Sequence, residues 1–469
     1  MGDCRCLDYQ PLSSGDDKRF NPHSDPGWHK PIVLTVTPPP TLSVILLNWN
    51  GRAYLEQCLY ALAGQSQPAS RVMLVDNGST DGSVEFVREH FPWVKIRDNG
   101  GNIGFAAGNN VALREDDAEI TVLLNPDVIL YPDCLAALSE ALAEDPRIGI
   151  AGCRLLYPGG DIIQHAGGFL THPQAMPGHY GIGERDERQH NMPRDVEYVI
   201  GAAMAIRRSL LDEIGLLDEG FFLYFEDTDI CRRARRAGYR VVYWPAATGI
   251  HIESATAIKG SFAYLQRFHS GRWRYLLKHF PAEEIAGPTL EAEAKWLDRL
   301  NPAERRAVTL AYLATQRGLP EIWVARERYG GDPLPPEAQA AVDQGMTGLI
   351  ARARSAEFDP SGLERLAEAG VLREQPFISN IPLVGPIIAS FRSAWNNVAS
   401  RWYVNHLMTQ QNNFNRMTVA QLEQYEAELR GQMELLEEQV VLTVELRRRV
   451  EKLQAHVTDL RRQMNHRQG

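Results

Sequence analysis

The chain has 469 residues, a formal net charge of -10, and a composition that is 44% hydrophobic and 9% aromatic. This length allows two or three globular domains with sizeable cores. The acidic balance argues against nucleic acid as a main partner, because neutralising phosphates requires an extended basic surface. Six cysteines are scattered without metal-ligand or disulfide spacing, which favours a reducing, cytoplasmic location.

The first forty residues are polar and proline-rich, which predicts a disordered arm at 1–40 and no signal peptide. No run of about eighteen apolar residues occurs, so no membrane span is predicted. From 41 to 285, strand-like runs alternate with helical patterns, which predicts an α/β domain with a mostly parallel, mixed sheet. The strand-like runs are Leu42–Leu47, Arg71–Asp76, Val94–Arg97, Ile120–Asn125, Ile148–Cys153, Val199–Ile206 and Arg240–Trp244.

Three further segments follow this domain. Residues 286–375 are helical in pattern and charged, which predicts a helical module. Residues 376–412 carry aromatic residues at helical spacing, so this amphipathic segment is expected to lie on a membrane surface or to pack against the protein itself. Residues 413–469 contain heptads from 422 to 464 and predict a coiled coil for self-association or partner binding, the alternative being a lone surface helix.

The ends of the first two predicted strands carry polar residues typical of a ligand site. The first strand runs into Asn48-Trp-Asn-Gly51, and the second into Asp76-Asn-Gly-Ser79. Successive strands of an open α/β sheet end at the edge where such sheets bind ligands. Trp49 can stack on a nucleobase, and Asp76 can accept the ring N–H of uracil or thymine. The segment at Asp76 is also typical of an ordinary turn with a helix cap, but the pair predicts nucleotide binding.

A glycine-rich run from Asn99 to Asn110 comes next and predicts a close approach of the backbone to a phosphate or a sugar. Its glycines do not fit the dinucleotide-binding fingerprint, which disfavours hydride transfer.

Carboxylates follow two further strands. Asp127 comes after Leu123-Leu-Asn-Pro126, where a hard divalent cation could bind it together with a diphosphate. His251 is a candidate second ligand, although a lone histidine is more often structural. Acids at 226, 227 and 229 open a predicted helix; helix capping explains one such residue easily and three poorly, so they predict a catalytic site.

Six motifs in this order resemble the inverting family-2 nucleotide-sugar glycosyltransferases with the GT-A fold, and among them the rhamnosyltransferase-like branch. The resemblance covers about residues 42–280. The motifs are Asn48–Gly51, Val75–Gly82, Asn102–Asn110, Leu124–Asp127, Gly201–Met204 and Phe225–Asp229.

The resemblance implies roles for individual residues. Asp227 matches the family's general base and Glu226 its partner, while Asp127 and His251 match ligands of a divalent cation, Mn2+ or Mg2+. The first acid of the family's Asp-x-Asp motif is replaced by Asn125, so the metal site has one carboxylate fewer. The implied nucleotide-binding residues are Asn48, Trp49, Asn50, Asp76, Asn102, Gly104 and Asn109. The implied donor- and acceptor-side residues are Asn125, Gly201, Ala202 and Asp229.

The implied activity is inverting transfer of a sugar, with rhamnose as the leading candidate, from a dTDP- or UDP-type donor. The implied acceptor is a glycan or a lipid-linked molecule in cell-surface polysaccharide synthesis. The expected location is the cytoplasm, with peripheral contact at the inner face of the plasma membrane. Two alternatives remain open from the residues alone: a sugar nucleotidylyltransferase, which shares strand-end carboxylates, and a non-catalytic nucleotide-sugar-binding scaffold carried on the coiled coil.

Overall fold

A computed structural model describes residues 40–253 and 260–355, together with residues 390–391, 411–413, 415 and 418. Nearly all of the predicted coiled coil and of the predicted arm, most of the amphipathic segment, and residues 356–375 of the predicted helical module lie outside the described residues. Within the described part of the chain, no helix has the length and apolarity needed to cross a membrane.

Strands and helices alternate in the first part of the described chain, a run of strands without helices follows from residue 148 to residue 207, and the described region after the last strand is helical. The strands are β1 Leu42–Asn48, β2 Arg71–Asp76, β3 Lys95–Asp98, β4 Ile120–Leu124, β5 Val128–Leu130, β6 Ile148–Leu156, β7 Ile163–His165, β8 Gly168–Thr171, β9 Met176–His179, β10 Arg194–Asp195, β11 Ala203–Arg207 and β12 Arg240–His251. The helices are α1 Arg52–Ala63, α2 Ser83–His90, α3 Phe105–Leu113, α4 Cys134–Glu144, α5 Arg208–Ile214, α6 Glu226–Arg236, α7 Phe262–His279, α8 Ala282–Glu284, a π-helical turn Ile285–Thr289, α9 Leu290–Leu297, α10 Pro302–Arg317, α11 Leu319–Arg328 and α12 Pro336–Ser355.

A ten-stranded mixed sheet organises the described part of the molecule, in the order β10-β12-β6-β11-β4-β1-β2-β3, with β5 on β12 and β7 on β6; β8 and β9 form a separate two-stranded sheet. Strands β3, β2, β1 and β4 are parallel neighbours, and β6 is parallel to β12. Strand β11 lies antiparallel between β4 and β6. The sheet is therefore less parallel than expected, because the long excursion between β6 and β11 returns the chain in the opposite direction.

Apolar cores cover both faces of the sheet, and β1, β2 and β4 are therefore buried along almost their whole length. One core holds residues of α1 and α4. The other holds residues of α3, α6 and α7, and it continues without a break into residues of α9 to α12. The helical region after α7 thus packs on the same core as the sheet.

The predicted strands all appear, with ends that differ by a few residues. The prediction Val199–Ile206 is shortened to Ala203–Arg207, whereas Arg240–Trp244 is lengthened to Arg240–His251. This extension matters for function because it places His251 beside β5, with Val128 as its paired residue.

Candidate active site

The ends of β1 and β2 form one hydrogen-bonded loop structure. Asn48 Nδ2 donates to Asp76 Oδ1 at 2.9 Å and to Ser79 Oγ at 3.0 Å. Asp76 also accepts from Gly78 N at 3.0 Å, from Ser79 N at 2.8 Å and from Ser79 Oγ at 2.6 Å. A carboxylate has about four acceptor positions, so these four bonds use its capacity. Asp76 therefore shapes the loop, and contact with a base would require it to release one of these donors.

Trp49 lies in this loop with 42% of its surface exposed. The next residue, Asn50, is held in the left-handed region at φ 52°. Its N–H donates to Ser79 Oγ at 2.8 Å, and its Oδ1 accepts from Thr80 N at 2.8 Å. Asn50 thus fixes the backbone that presents the Trp49 indole to solvent, where the ring is available for stacking.

The glycine-rich loop connects the predicted nucleotide-binding edge of the sheet to the segment that precedes α6. Asn102 Oδ1 accepts from Gly104 N at 3.0 Å, and Phe105 N donates to Phe222 O at 2.6 Å. Asn109 lies further along α3, where it is 1% exposed and donates to Phe105 O at 3.0 Å. Its amide therefore serves the helix itself, in contrast to the predicted nucleotide contact.

Gly104 is required at its position for two reasons. Its φ is +92°, and a Cβ there would meet Phe222 O at 2.6 Å. Gly100 in the same loop shares a positive φ of +72°, but a Cβ there would meet nothing within 4 Å. We expect Gly104→Ala to lower donor turnover by at least about 10-fold. Gly100→Ala should leave turnover close to that of the wild type and should lower only the free energy of unfolding, by the backbone strain of about 1–2 kcal/mol. Turnover and urea unfolding of the two variants check this, and equal activities would contradict it.

Asp227 lies at the start of α6 with its side chain held toward β11. Tyr224 and Phe225, just before the helix, both take left-handed backbone conformations, at φ 73° and 72°. Asp227 Oδ2 accepts from Gly201 N at 2.9 Å, and Oδ1 accepts from Thr228 N at 2.6 Å. Strained residues of this kind are common where a side chain must be placed accurately.

The three acids of α6 have different environments. Asp227 is partly exposed, whereas Glu226 is 4% and Asp229 0% exposed. Burial raises the pKa of Asp227 from its ordinary value, an effect that the hydrogen bonds from Gly201 and Thr228 oppose. Burial, together with the charges of Asp227 and Asp229, raises the pKa of Glu226 well above its usual range. Asp227 is thus the acid of the three that combines access to solvent with a basicity above that of a free aspartate.

Asp229 belongs to a closed cluster of charges rather than to the cleft. Its carboxylate accepts from Arg233 Nε at 2.9 Å, Lys278 Nζ at 2.5 Å and His279 Nε2 at 2.8 Å. Burial alone would raise its pKa, but the charges of Lys278 and Arg233 outweigh burial and hold the pKa well below its usual value. These contacts give Asp229 a structural role, in contrast to the predicted donor- or acceptor-side role.

Asp127 and His251 face each other, although 124 positions separate them in the sequence. Asp127 Oδ1 lies 3.5 Å from His251 Nε2, and Asp127 O accepts from Ile252 N at 3.0 Å. Gln164 Oε1 lies 2.7 Å from His251 Nδ1. No group of three or more His, Cys, Asp or Glu side chains suited to a metal ion converges within the described ranges. The protein thus brings one carboxylate and one imidazole to this point.

A short backbone connection joins the Asp127 pair to Asp227. Asn125 N donates to Ala202 O at 2.8 Å, and the preceding residue, Gly201, is the donor to Asp227. A Cβ on Gly201 would lie 3.6 Å from the Asp227 Cβ and 3.2 Å from the Phe105 ring. Gly201 and Ala202 therefore bring the predicted metal loop, the glycine-rich loop and the predicted base to the same end of β4 and β11.

Three residues that were not predicted from the sequence make hydrogen bonds to residues of the site: Ser79, Gln164 and Lys278. Ser79 ties the β1 and β2 loops together, and its place in an Asp-x-x-Ser turn was a usable signal. Gln164 and Lys278 contact site residues from distant parts of the chain, and no local pattern marks them. The separation of Asp227 from Asp229 could have been predicted, because about 100° per residue places helix positions i and i+2 on nearly opposite sides.

Comparison with known proteins identifies the family. The family described as glycosyltransferase like family 2 matches residues 38–275, which include every predicted site residue. The chain belongs to this family. It is a family-2 glycosyltransferase, an enzyme that uses a nucleotide sugar. The nucleotidylyltransferase alternative is therefore set aside.

Curated relatives of this glycosyltransferase are named as rhamnosyltransferases and as a hexosyltransferase. The N-acetylglucosaminyl-diphospho-decaprenol L-rhamnosyltransferase of Mycobacterium tuberculosis is 28% identical over 50% of this chain and 88% of its own length. The rhamnosyltransferase WbbL of Escherichia coli is 28% identical over 33% of this chain and 62% of its own length. The low-salt glycan biosynthesis hexosyltransferase Agl10 of Haloferax volcanii is 25% identical over 45% of this chain and 66% of its own length.

Solved structures show more distant similarity. GalNAc-T7 with UDP, GalNAc and Mn2+ is 15% identical, with a TM-score of 0.44 over 54% of this chain and 51% of that chain. The mannosyltransferase PcManGT from Pyrobaculum calidifontis, in complex with GDP-Man and Mn2+, is 20% identical, with a TM-score of 0.38 over 68% of this chain and 87% of that chain.

Proposed function

We propose that this glycosyltransferase moves a deoxysugar, with rhamnose as the leading candidate, from a dTDP- or UDP-type donor to a glycan or lipid-linked acceptor. The transfer inverts the configuration at the anomeric carbon. Asp227 acts as the general base, and Asp127 with His251 holds a divalent cation. The names of the M. tuberculosis and E. coli relatives support the sugar, and the diphospho-decaprenol in the former name supports a lipid-linked acceptor. An acceptor of that kind favours work at the inner membrane face.

The observation that carries the proposal is the environment of Asp227. Glu226 and Asp229 are buried, whereas Asp227 reaches solvent beside Gly201 and is connected through Ala202 to the loop of Asp127. A general base must reach the proton that it takes from the acceptor. Near neutral pH it is more effective when its pKa is higher than that of a free carboxyl group. Asp227 meets both requirements.

The proposed step is one displacement. The acceptor hydroxyl oxygen forms a bond to the anomeric carbon while the bond from that carbon to the diphosphate oxygen breaks, and the diphosphate leaves with the electron pair. Asp227 takes the hydroxyl proton as the new bond forms. Attack from the face opposite the leaving group inverts the anomeric configuration.

The donor set at Asp127 fits a divalent cation. A carboxylate oxygen and a ring nitrogen point at each other from 3.5 Å, and the two oxygens of a diphosphate can complete such a site. When bound, the cation offsets negative charge on the departing diphosphate. Asn125 stands in place of a second acid, and Asp127 and His251 are the described side chains that would hold the cation, which favours Mn2+ or Mg2+ brought together with the nucleotide.

A screen of nucleotide sugars for donor hydrolysis tests class, donor and metal together. We expect hydrolysis of dTDP-rhamnose to exceed that of UDP- and GDP-hexoses, and to fall at least about 10-fold when EDTA replaces Mn2+, because the leaving diphosphate then carries uncompensated charge. The nucleoside diphosphate released over time is the measurement. Hydrolysis that EDTA leaves unchanged would remove the cation from the proposal, and a preference for another donor would remove rhamnose.

A further inference from the structure

Gln164 on β7 is placed to control which nitrogen of His251 faces Asp127. We propose that Gln164 is a positioning residue: its Oε1 accepts the proton of His251 Nδ1 and thereby leaves the Nε2 lone pair for the divalent cation. The inference rests on the metal site of the proposed function and adds a residue that lies outside all six sequence motifs.

The contact is short and buried. Gln164 Oε1 lies 2.7 Å from His251 Nδ1, and Gln164 is 4% exposed. The pairing of β7 with β6 shifts register between Leu155 and Leu156, directly opposite Gln164. Irregularities of this kind redirect one side chain. Since β6 lies between β7 and β12 in the sheet, the redirected amide can reach the last residue of β12.

This hydrogen bond decides the tautomer of His251. An amide oxygen only accepts, so Nδ1 must carry the proton and a neutral ring then keeps its lone pair on Nε2. Nε2 lies 3.5 Å from Asp127 Oδ1, beyond the roughly 2.7–3.2 Å of an N–H···O bond. A cation that both acceptor atoms can bind would stabilise them at this separation. Histidine ligands of metals commonly donate their second ring N–H to such a partner.

The opposite amide orientation has the opposite consequence. An amide N–H donor against Nδ1 would place the ring proton on Nε2, which would then face Asp127 as a donor and could not bind a cation. When Oε1 faces His251, Gln164 Nε2 has no hydrogen-bond partner among the described residues. The effect of Gln164 on His251 therefore distinguishes the two amide orientations.

Mn2+ affinity of the full chain tests the inference. Free Mn2+ is measured by electron paramagnetic resonance in separate titrations with dTDP and with UDP. We expect Gln164→Met, which keeps the side-chain length and removes the acceptor, to weaken Mn2+ binding about 10- to 100-fold. Gln164→Glu, which can only accept, should bind Mn2+ at least as tightly as the wild type. Circular dichroism without metal checks that each variant is folded.

A double-mutant cycle separates positioning from a general effect on stability. In a His251→Ala background, Gln164→Met should weaken Mn2+ binding no further, because the ring that it orients is gone. Unchanged Mn2+ affinity in Gln164→Met, an equal loss in both backgrounds, or no Mn2+ binding by the wild type would each overturn the inference. The donor screen decides the proposed function separately, since these titrations involve no turnover of a donor.

Discussion

Replacing Asp227 with Asn should lower the rate of sugar transfer about 100- to 10,000-fold, the usual contribution of a general base. Asn has nearly the same shape but cannot take the acceptor proton. Affinity for the donor should change little, because Asp227 contacts Gly201 and Thr228 and lies outside the loops that are predicted to bind the nucleotide. Transfer kinetics and donor binding, measured on the same protein, check this result.

Glu226→Gln is the matched control for this substitution. Burial and two neighbouring carboxylates raise the pKa of Glu226 well above its usual range, which favours the neutral form of the side chain, and a neutral amide resembles that form. We expect Glu226→Gln to keep the transfer rate within about 10-fold of the wild type. If the losses were reversed between the two variants, Glu226 would be the base; full activity of Asp227→Asn would show that Asp227 is not the base.

The pH profile of the wild type provides a second readout of the same carboxylate. A general base acts only when it is deprotonated, so transfer should fall as the pH drops through the pKa of Asp227. Burial raises that pKa, and the fall should therefore begin at a higher pH than for a solvent-exposed aspartate, whose pKa is about 3.9. Asp227→Asn should lack this acid limb in its residual activity.

Lys278→Met should lower the free energy of unfolding by up to about 3–5 kcal/mol, the cost of removing one partner from a buried ion pair, because Asp218 and Asp229 lose the cation that they share. Lys278 Nζ is fully buried and donates to Asp218 at 2.7 Å and to Asp229 at 2.5 Å. Methionine fills a similar volume without the charge, so the loss is chiefly electrostatic. Urea denaturation at neutral pH measures it.

Arg352→Met is the matched control, because it removes a cation of similar size from an exposed ion pair. Arg352 and Asp298 are each 50% exposed, and such surface pairs contribute about 0–1 kcal/mol. Comparable losses in the two variants would show that Lys278 contributes no more than a surface pair.

The parts of the fold and site that follow from local pattern were predictable. Buried runs marked the parallel strands, and polar residues after β1, β2 and β4 marked the edge where Asn48, Asp76 and Asn125 lie. Parallel neighbours end at the same edge, which is why residues 28 positions apart, such as Asn48 and Asp76, pair across the sheet.

The remaining features depend on contacts between distant segments, for which a single sequence carries no periodic signal. The antiparallel position of β11 is decided by where a long excursion returns, and the extension of β12 to His251 by its pairing with β5. Gln164 contacts His251 from 87 positions away and Lys278 contacts Asp229 from 49 positions away. The family resemblance placed Asp229 on the donor or acceptor side, whereas the turn of α6 directs its side chain to a buried charge cluster with Arg233, Lys278 and His279.

Lys278 also bears on where the catalytic unit ends. It bridges Asp218 and Asp229, on either side of Asp227, yet the family match stops at residue 275, inside α7. Arg272 on the same helix pairs with Glu293 in α9. The segment that matches the family is therefore shorter than the segment that folds as one unit. Chimeric enzymes with exchanged catalytic domains should be joined after α12 rather than at the end of the family match.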